Sequence, residues 1–165
     1  MTRKHQPLPD RQHPRRLDQP LYRAPEQPVF ITFRARSCPP LSDWGTADTI
    51  ISVMRRIAAN CGIRILAYCI MPDHVHVVVS VSSHGGDVEK WLRYTKRAVQ
   101  EALGARGMWQ RSYWDRHARS HEDVATAVAY ILQNPVRKGL CDGWEDWPFS
   151  WSEWHDRAHG AGTDG

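Results

Sequence analysis

The order of the predicted elements, β-α-β-β-α-β, places this chain in the α+β class as a ferredoxin-like sandwich. In that architecture an antiparallel four-stranded sheet carries helices on one face, and here a further helix follows at the C-terminal side. Val-rich and aromatic runs predict the strands, whereas apolar residues at helical spacing predict the helices. The chain has 165 residues, of which 41% are hydrophobic, and this is enough for one domain with short tails.

The first half of the chain supplies three strands and one helix. Alternating β-branched and aromatic residues predict a strand at Val29–Arg34, and apolar residues recur at helical spacing in Asp48–Asn60. Two further strands are predicted at Ile63–Ile70 and His74–Val81, joined by the turn Met71–Asp73. So short a connection predicts that these two strands pair antiparallel.

The second half supplies two helices and one strand. Val88–Leu103 has an inward apolar stripe and predicts a helix, and the fourth strand should lie within Gly107–Arg119. Ser120 can cap a third helix, with Asp123 completing a capping-box-like pair. Pro135 should end that helix, because proline cannot donate the next backbone hydrogen bond.

Composition divides the chain into three parts. Residues 1–28 hold six of the eleven prolines and six Lys or Arg residues without hydrophobic periodicity, so we expect a basic arm that is disordered or loosely docked. Residues 29–154 form the domain, and residues 155–165 should be a flexible tail. We expect no secretory signal and no membrane span, and the four cysteines without a C-x-x-C pair fit a reducing cytoplasm.

Positive charge is concentrated in one segment. The net charge is only +4, yet residues 90–119 contain eight basic and two acidic residues, interleaved with tryptophan and tyrosine. Cations for phosphates and aromatic faces for bases are typical of a single-stranded nucleic-acid surface, although a solvated helix face is the alternative. The residues to which we assign nucleic-acid contact are Arg93, Lys96, Arg97, Arg111, Tyr113 and Arg116.

Two histidines suggest half of a metal site. His74 and His76 flank Val75 on a strand, so both imidazoles lie on one face of the sheet. If the predicted helices cover the opposite face, the histidine face is free for a ligand. The alternative is a half-buried strand whose two polar positions are occupied by histidine, since so short a motif is weak by itself.

The third helix adds a hydroxyl and an amide. Tyr130 lies off the apolar stripe of this helix, and Asn134 follows one turn later on the same side. The Asn134 amide oxygen is a candidate third ligand beside the two imidazoles. Gln133 is the rival, because Pro135 disfavours helical geometry at the residue before it. Tyr130 could instead be an ordinary surface aromatic residue.

Together these groups predict phosphoryl chemistry on DNA or RNA. A divalent ion held by His74, His76 and Asn134 would polarise a scissile phosphate. The Tyr130 phenol would attack phosphorus and form a covalent phosphotyrosine. That intermediate keeps the bond energy, so a strand could be rejoined without ATP.

The chain resembles the REP-associated tyrosine transposases, a branch of the single-tyrosine HUH transposases, from Val29 to Trp154. The resemblance is carried by five ordered segments: P-V-F-I-T-F-R, Y-C-I-M-P-D-H-V-H-V-V-V, M-W-Q-R-S-Y-W-D-R-H, Y-I-L-Q-N-P-V-R-K-G-L and W-P-F-S-W-S-E-W. By this resemblance His74 and His76 match the paired metal ligands, Tyr130 matches the nucleophile, and Asn134 matches the polar position after it.

The resemblance also implies a substrate and a cofactor. It implies a ferredoxin-like fold, Mg²⁺ or Mn²⁺, and single-stranded DNA folded as a hairpin, cleaved through a 5′-phosphotyrosine with a free 3′-OH. It further implies a bacterial protein near the nucleoid, and a monomer or a homodimer. Asp73 stands where many relatives carry Asn, and the Pro-rich arm is not part of the shared core.

Two other functions compete with a transposase. A non-catalytic single-stranded nucleic-acid-binding module of the RNA-recognition fold has the same element order, but the motif K/R-G-F/Y-G/A-F-V-x-F/Y is absent. A metal-dependent phosphodiesterase would use activated water without a covalent step. The sequence leaves open the DNA target, and whether the nucleophile comes from the same chain or from a second subunit.

Overall fold

This computed structural model describes residues 17–36, 40–118 and 120–155. The elements are β1 Val29–Ala35, α1 Trp44–Cys61, β2 Ile63–Ile70, β3 His74–Val81, α2 Val88–Leu103, β4 Trp109–His117, α3 His121–Leu132, α4 Asn134–Arg137 and β5 Ser150–Ser152. In these described residues the strands form a five-stranded antiparallel sheet with the order β4-β1-β3-β2-β5. The predicted ferredoxin-like arrangement is confirmed, with β5 added at the β2 edge.

Side-chain caps fix where the helices begin. Asp43 accepts a hydrogen bond from the Thr46 amide, so α1 begins at Trp44 rather than at Asp48 as predicted. Asp87 and Ser120 cap α2 and α3 in the same way. The capping prediction at Ser120 is therefore confirmed, and α3 ends at Leu132 before the short helix α4.

Two apolar layers enclose the sheet. On one face, β1 and β3 residues such as Ile31 and Val77 pack with Ile50 of α1 and Trp91 of α2. On the other face, α3 packs against a second set of buried residues: Phe30, Leu66, Ala67 and Val78. The expectation that this second face would be free is therefore wrong in part, because the apolar stripe of α3 must itself be buried.

The segment before β1 is docked rather than disordered. Gln19–Arg23 form a 3-10 helix in which Tyr22 is 2% exposed, and its hydroxyl donates to the buried Asp115 carboxylate of β4. Arg23 pairs with Asp87 at the start of α2. Of the two alternatives expected for this arm, residues 17–28 follow the docked one, because the Tyr22 ring fills a core position. The rest of that prediction, residues 1–16, lies outside the described residues.

The C-terminal strand was not predicted. β5 pairs with the outer edge of β2, and the Trp151 ring stacks on Tyr68 at a centroid distance of 5.9 Å. The Trp147 indole N–H donates to the Ile70 carbonyl over 2.9 Å. Residues 156–165 of the predicted tail are outside the described part of the chain. Among the described residues, none of the helices is long and apolar enough to cross a bilayer.

Candidate active site

Two imidazoles converge at the start of β3. His74 and His76 project from the sheet face that α3 partly covers, and their Nε2 atoms are 3.0 Å apart. The two rings are perpendicular, with centroids 4.6 Å apart. The same-face placement follows from strand alternation, as the sequence predicts.

Each imidazole contacts a polar side chain through its Nδ1 atom. The Asp73 carboxylate lies 2.6 Å from Nδ1 of His74, and the Thr32 hydroxyl lies 2.8 Å from Nδ1 of His76. Arg34 in turn donates to Asp73 over 3.2 Å. A carboxylate at Nδ1 requires a proton there, which leaves the lone pair of His74 on Nε2.

Burial keeps both imidazoles neutral. Desolvation and the neighbouring His74 lower the pKa of His76 to about 3. Desolvation also lowers the pKa of His74, although the hydrogen bond to Asp73 opposes this effect. Neutral rings present lone pairs, which is the form that binds metal ions.

Asn134 completes a group of three converging side chains. It is the buried first residue of α4, and its Nδ2 atom lies 2.5 Å from Nε2 of His76. Rotating the amide by 180° would put its oxygen at the same point. Gln133, the rival residue, is exposed at the end of α3. The structure thus brings Asn134, rather than Gln133, to the histidine pair.

Tyr130 lies one turn before Asn134 and is open to solvent. Its side chain is 38% exposed, so the prediction that it lies off the packed face of α3 agrees with the structure. The Arg137 guanidinium stacks 3.9 Å from the centre of the Tyr130 ring and donates to the Tyr130 carbonyl. In the described part of the chain, Tyr130 has no hydrogen bond to the histidine pair. The break between α3 and α4 thus lies between Tyr130 and Asn134, which contacts the histidine pair.

The donor set fits a divalent ion. The two Nε2 atoms are 3.0 Å apart and the Asn134 amide contacts one of them, so the three side chains are close enough to act as neighbouring ligands of one ion. If both rings are protonated on Nδ1, the Nε2 lone pairs of the two buried imidazoles are directed at the same place and could bind one cation. Within the described residues no three His, Cys, Asp or Glu side chains gather at one point, so an ion here would use His74, His76 and Asn134.

The predicted nucleic-acid residues fall on two surfaces. Most of them line a groove between α2 and β4: Arg93, Lys96, Arg97, Arg111 and Tyr113. Lys96 donates to the Gln110 carbonyl and Arg97 pairs with Glu101, so these two cations are already engaged. Arg116 instead points to the face of the histidine pair, since it is paired with Phe30.

Tyr113 does not have the predicted role. Its side chain is only 9% exposed and belongs to the core under α2, so it is not available to stack on a base. Alternation along β4 turns the next residue, Trp114, to the opposite face, where it is 40% exposed. Of these two neighbours on β4, Trp114 is therefore the one whose ring is open to solvent.

Comparisons of the sequence with known proteins identify a family and named relatives. A family model described as "Transposase IS200 like" matches residues 29–134. A REP-associated tyrosine transposase of Escherichia coli (strain K12) is 31% identical over 84 residues, which cover 51% of each chain. A Haemophilus influenzae (strain ATCC 51907 / DSM 11121 / KW20 / Rd) protein, whose name assigns it provisionally to the same group, is 28% identical over 99 residues, covering 52% of this chain and 56% of its own.

The fold also matches a solved structure. That structure is described as a REP-associated tyrosine transposase bound to a REP hairpin, and it superposes with a TM-score of 0.74. The match covers 84% of both chains at 24% sequence identity, and it supports the fold. The chain spans about half the length of the curated relatives that it matches.

Proposed function

This chain belongs to the IS200-like transposase family, and we propose that it cleaves and rejoins single-stranded DNA that carries a hairpin. One observation carries the proposal more than any other. Asn134 contacts His76 and follows the helix that bears Tyr130, so one break between two helices links the nucleophile to the candidate ion site. The hairpin comes from the solved neighbour, which is bound to a REP hairpin.

The proposed reaction exchanges one phosphodiester for another. The Tyr130 oxygen attacks phosphorus, a bond from phosphorus to this oxygen forms, and the bond from phosphorus to the 3′-oxygen breaks. The phenol loses its proton, and the departing 3′-oxygen gains one. The product is a 5′-phosphotyrosine with a free 3′-OH, and attack by another 3′-OH reverses the step.

The surrounding residues would orient the reacting groups. Mg²⁺ or Mn²⁺, when bound at the three converging side chains, would polarise the scissile phosphate. Asp73 and Thr32 keep the Nε2 atoms of His74 and His76 aimed at one point. Arg137 packs on the Tyr130 ring and limits its motion.

The proposal is tested by incubating the protein with end-labelled single strands and Mn²⁺, followed by denaturing electrophoresis. A hairpin strand labelled at its 5′ end should give a shorter product, and the same strand labelled at its 3′ end should give a protein-linked band in equal amount. A fully paired duplex of the same sequence is the control and should give neither. Cleavage without a protein-linked band would instead support the water-using phosphodiesterase, and binding without cleavage would support the non-catalytic binding module.

Two properties inferred from the sequence remain predictions. These are the monomeric or homodimeric state and the location near the bacterial nucleoid in the cytoplasm. Size-exclusion chromatography with and without the hairpin strand would determine the oligomeric state.

A further inference from the structure

We propose that the exposed indole of Trp114 is a stacking platform for one base of the DNA strand that enters the candidate active site. The inference rests on the proposed function and adds to it a binding position for a nucleobase. Trp114 is 40% exposed, although a large apolar side chain normally gains free energy from burial. Its position relative to the histidine pair indicates what would cover it.

Strand register puts Trp114 in line with the candidate ion site. Thr32 of β1 pairs with Trp114 of β4 on one side and with His76 of β3 on the other. Paired residues share a face, so Trp114 and His76 lie on the same side of the sheet, two strands apart. With neighbouring strands about 4.8 Å apart, their Cα atoms are separated by roughly 10 Å. A strand whose phosphate reaches His76 therefore has a neighbouring base within reach of the indole.

The helix on this face leaves Trp114 uncovered. The buried layer under α3 is formed by Phe30, Leu66, Ala67 and Val78, together with Ala118, which follows β4. Trp114 pairs with Thr32, two residues further along β1 than Phe30. This is toward the end of β1 where Arg34 pairs with His74. The open part of the face is therefore the corner between β4 and the histidine pair.

Two arginines flank this corner along the strands. Arg116 is exposed beside Phe30, with its guanidinium carbon 5.1 Å from the Phe30 ring centre. Arg34 pairs with His74, on the other side of the Thr32 row, and its side chain is 53% exposed. An aromatic face between two exposed cations matches a base with a phosphate on either side, and it does not match an apolar protein surface.

The test uses the Tyr130→Phe background, in which the DNA strand should stay intact. Single strands carry 5-iodouracil at one position at a time around the cleavage site, and irradiation cross-links this base to an aromatic side chain in contact with it. We expect one position near the scissile phosphate to cross-link to Trp114, identified by mass spectrometry of the peptide. Trp114→Ala should remove that cross-link.

Affinity supplies the second measurement. Trp114→Ala should weaken binding of the single strand about tenfold, whereas Trp114→Phe should bind nearly as tightly as the parent, since stacking tolerates any aromatic face. Trp154→Ala is the matched control, because Trp154 is 41% exposed but follows β5 at the opposite edge of the sheet.

The outcomes separate this inference from the proposed function. Equal affinity of Trp114→Ala and Trp154→Ala for the strand, with no cross-link to Trp114, would overturn the inference even where the parent protein forms its covalent adduct. A cross-link to Trp114 with the expected affinity loss would support the platform even if the protein with Tyr130 formed no adduct.

Discussion

The Thr32 hydroxyl lies 2.8 Å from Nδ1 of His76, across the paired strands β1 and β3. If His76 donates this hydrogen bond, its proton is held on Nδ1 and its lone pair is on Nε2, the atom that faces His74 and Asn134. In that arrangement, one hydroxyl on a neighbouring strand holds His76 in the tautomer that can bind an ion.

Removing this hydroxyl should weaken metal binding. Thr32→Val keeps the shape of the side chain but leaves Nδ1 of His76 without its partner, and loss of such a support typically costs about 10- to 100-fold in metal affinity. Mn²⁺ titration of the DNA-free protein followed by electron paramagnetic resonance measures this affinity. Thr32→Ser is the control and should bind Mn²⁺ like the parent protein. Equal Mn²⁺ affinity in Thr32→Val and the parent would show that the contact has no positioning role.

Stability should depend on pH through His76. Its pKa is about 3 in the folded protein and about 6.5 when unfolded, so between these values the unfolded state takes up a proton that the folded state does not. The free energy of unfolding should therefore fall as the pH drops through this window, by about 1.4 kcal/mol per pH unit for one proton.

The measurement is urea unfolding of the chelator-treated protein at several pH values between 7 and 4, which cover most of that window. His76→Gln removes the titrating group and should give a shallower dependence than the parent protein. Identical slopes for the two proteins would show that His76 titrates normally in the folded state.

Docking of the segment before β1 should contribute to stability. Tyr22→Phe removes the hydroxyl that donates to the buried Asp115 carboxylate, and an acceptor left short of a donor costs about 1–3 kcal/mol. Equilibrium urea unfolding measures this loss. Tyr94→Phe is the control, because Tyr94 is exposed on α2 and its hydroxyl should matter by less than about 0.5 kcal/mol. Equal stability of the two variants would contradict the proposed importance of the Tyr22 contact.

Periodicity in the sequence was enough to predict the regular core. The bounds of β2, β3 and α2 agree with the structure, because each is a long segment with one dominant period and a clear turn or cap at its ends. Alternation along β3 likewise placed His74 and His76 on one face. These features depend only on residues that are close together in the chain.

Features that depend on distant pairing were not predictable in the same way. β5 has three residues and exists because it pairs with β2, and Tyr22 is ordered because it reaches Asp115, 93 positions later. The burial of Tyr113 and the exposure of Trp114 have the same origin, since both faces of β4 carry aromatic residues and only the pairing with β1 sets its register. The contact between Thr32 and His76 also needs that pairing.

The role of Tyr130 is tested most directly by denaturing electrophoresis of a hairpin strand with Mn²⁺, labelled at its 5′ end in one sample and at its 3′ end in another, comparing Tyr130→Phe with Tyr94→Phe. Tyr130 is exposed, so loss of its hydroxyl should change stability by less than about 0.5 kcal/mol and should leave DNA affinity unchanged. We predict that Tyr130→Phe gives no cleavage and no protein-linked band, while Tyr94→Phe retains both. A protein-linked band from Tyr130→Phe would show that another residue is the nucleophile and would contradict the account.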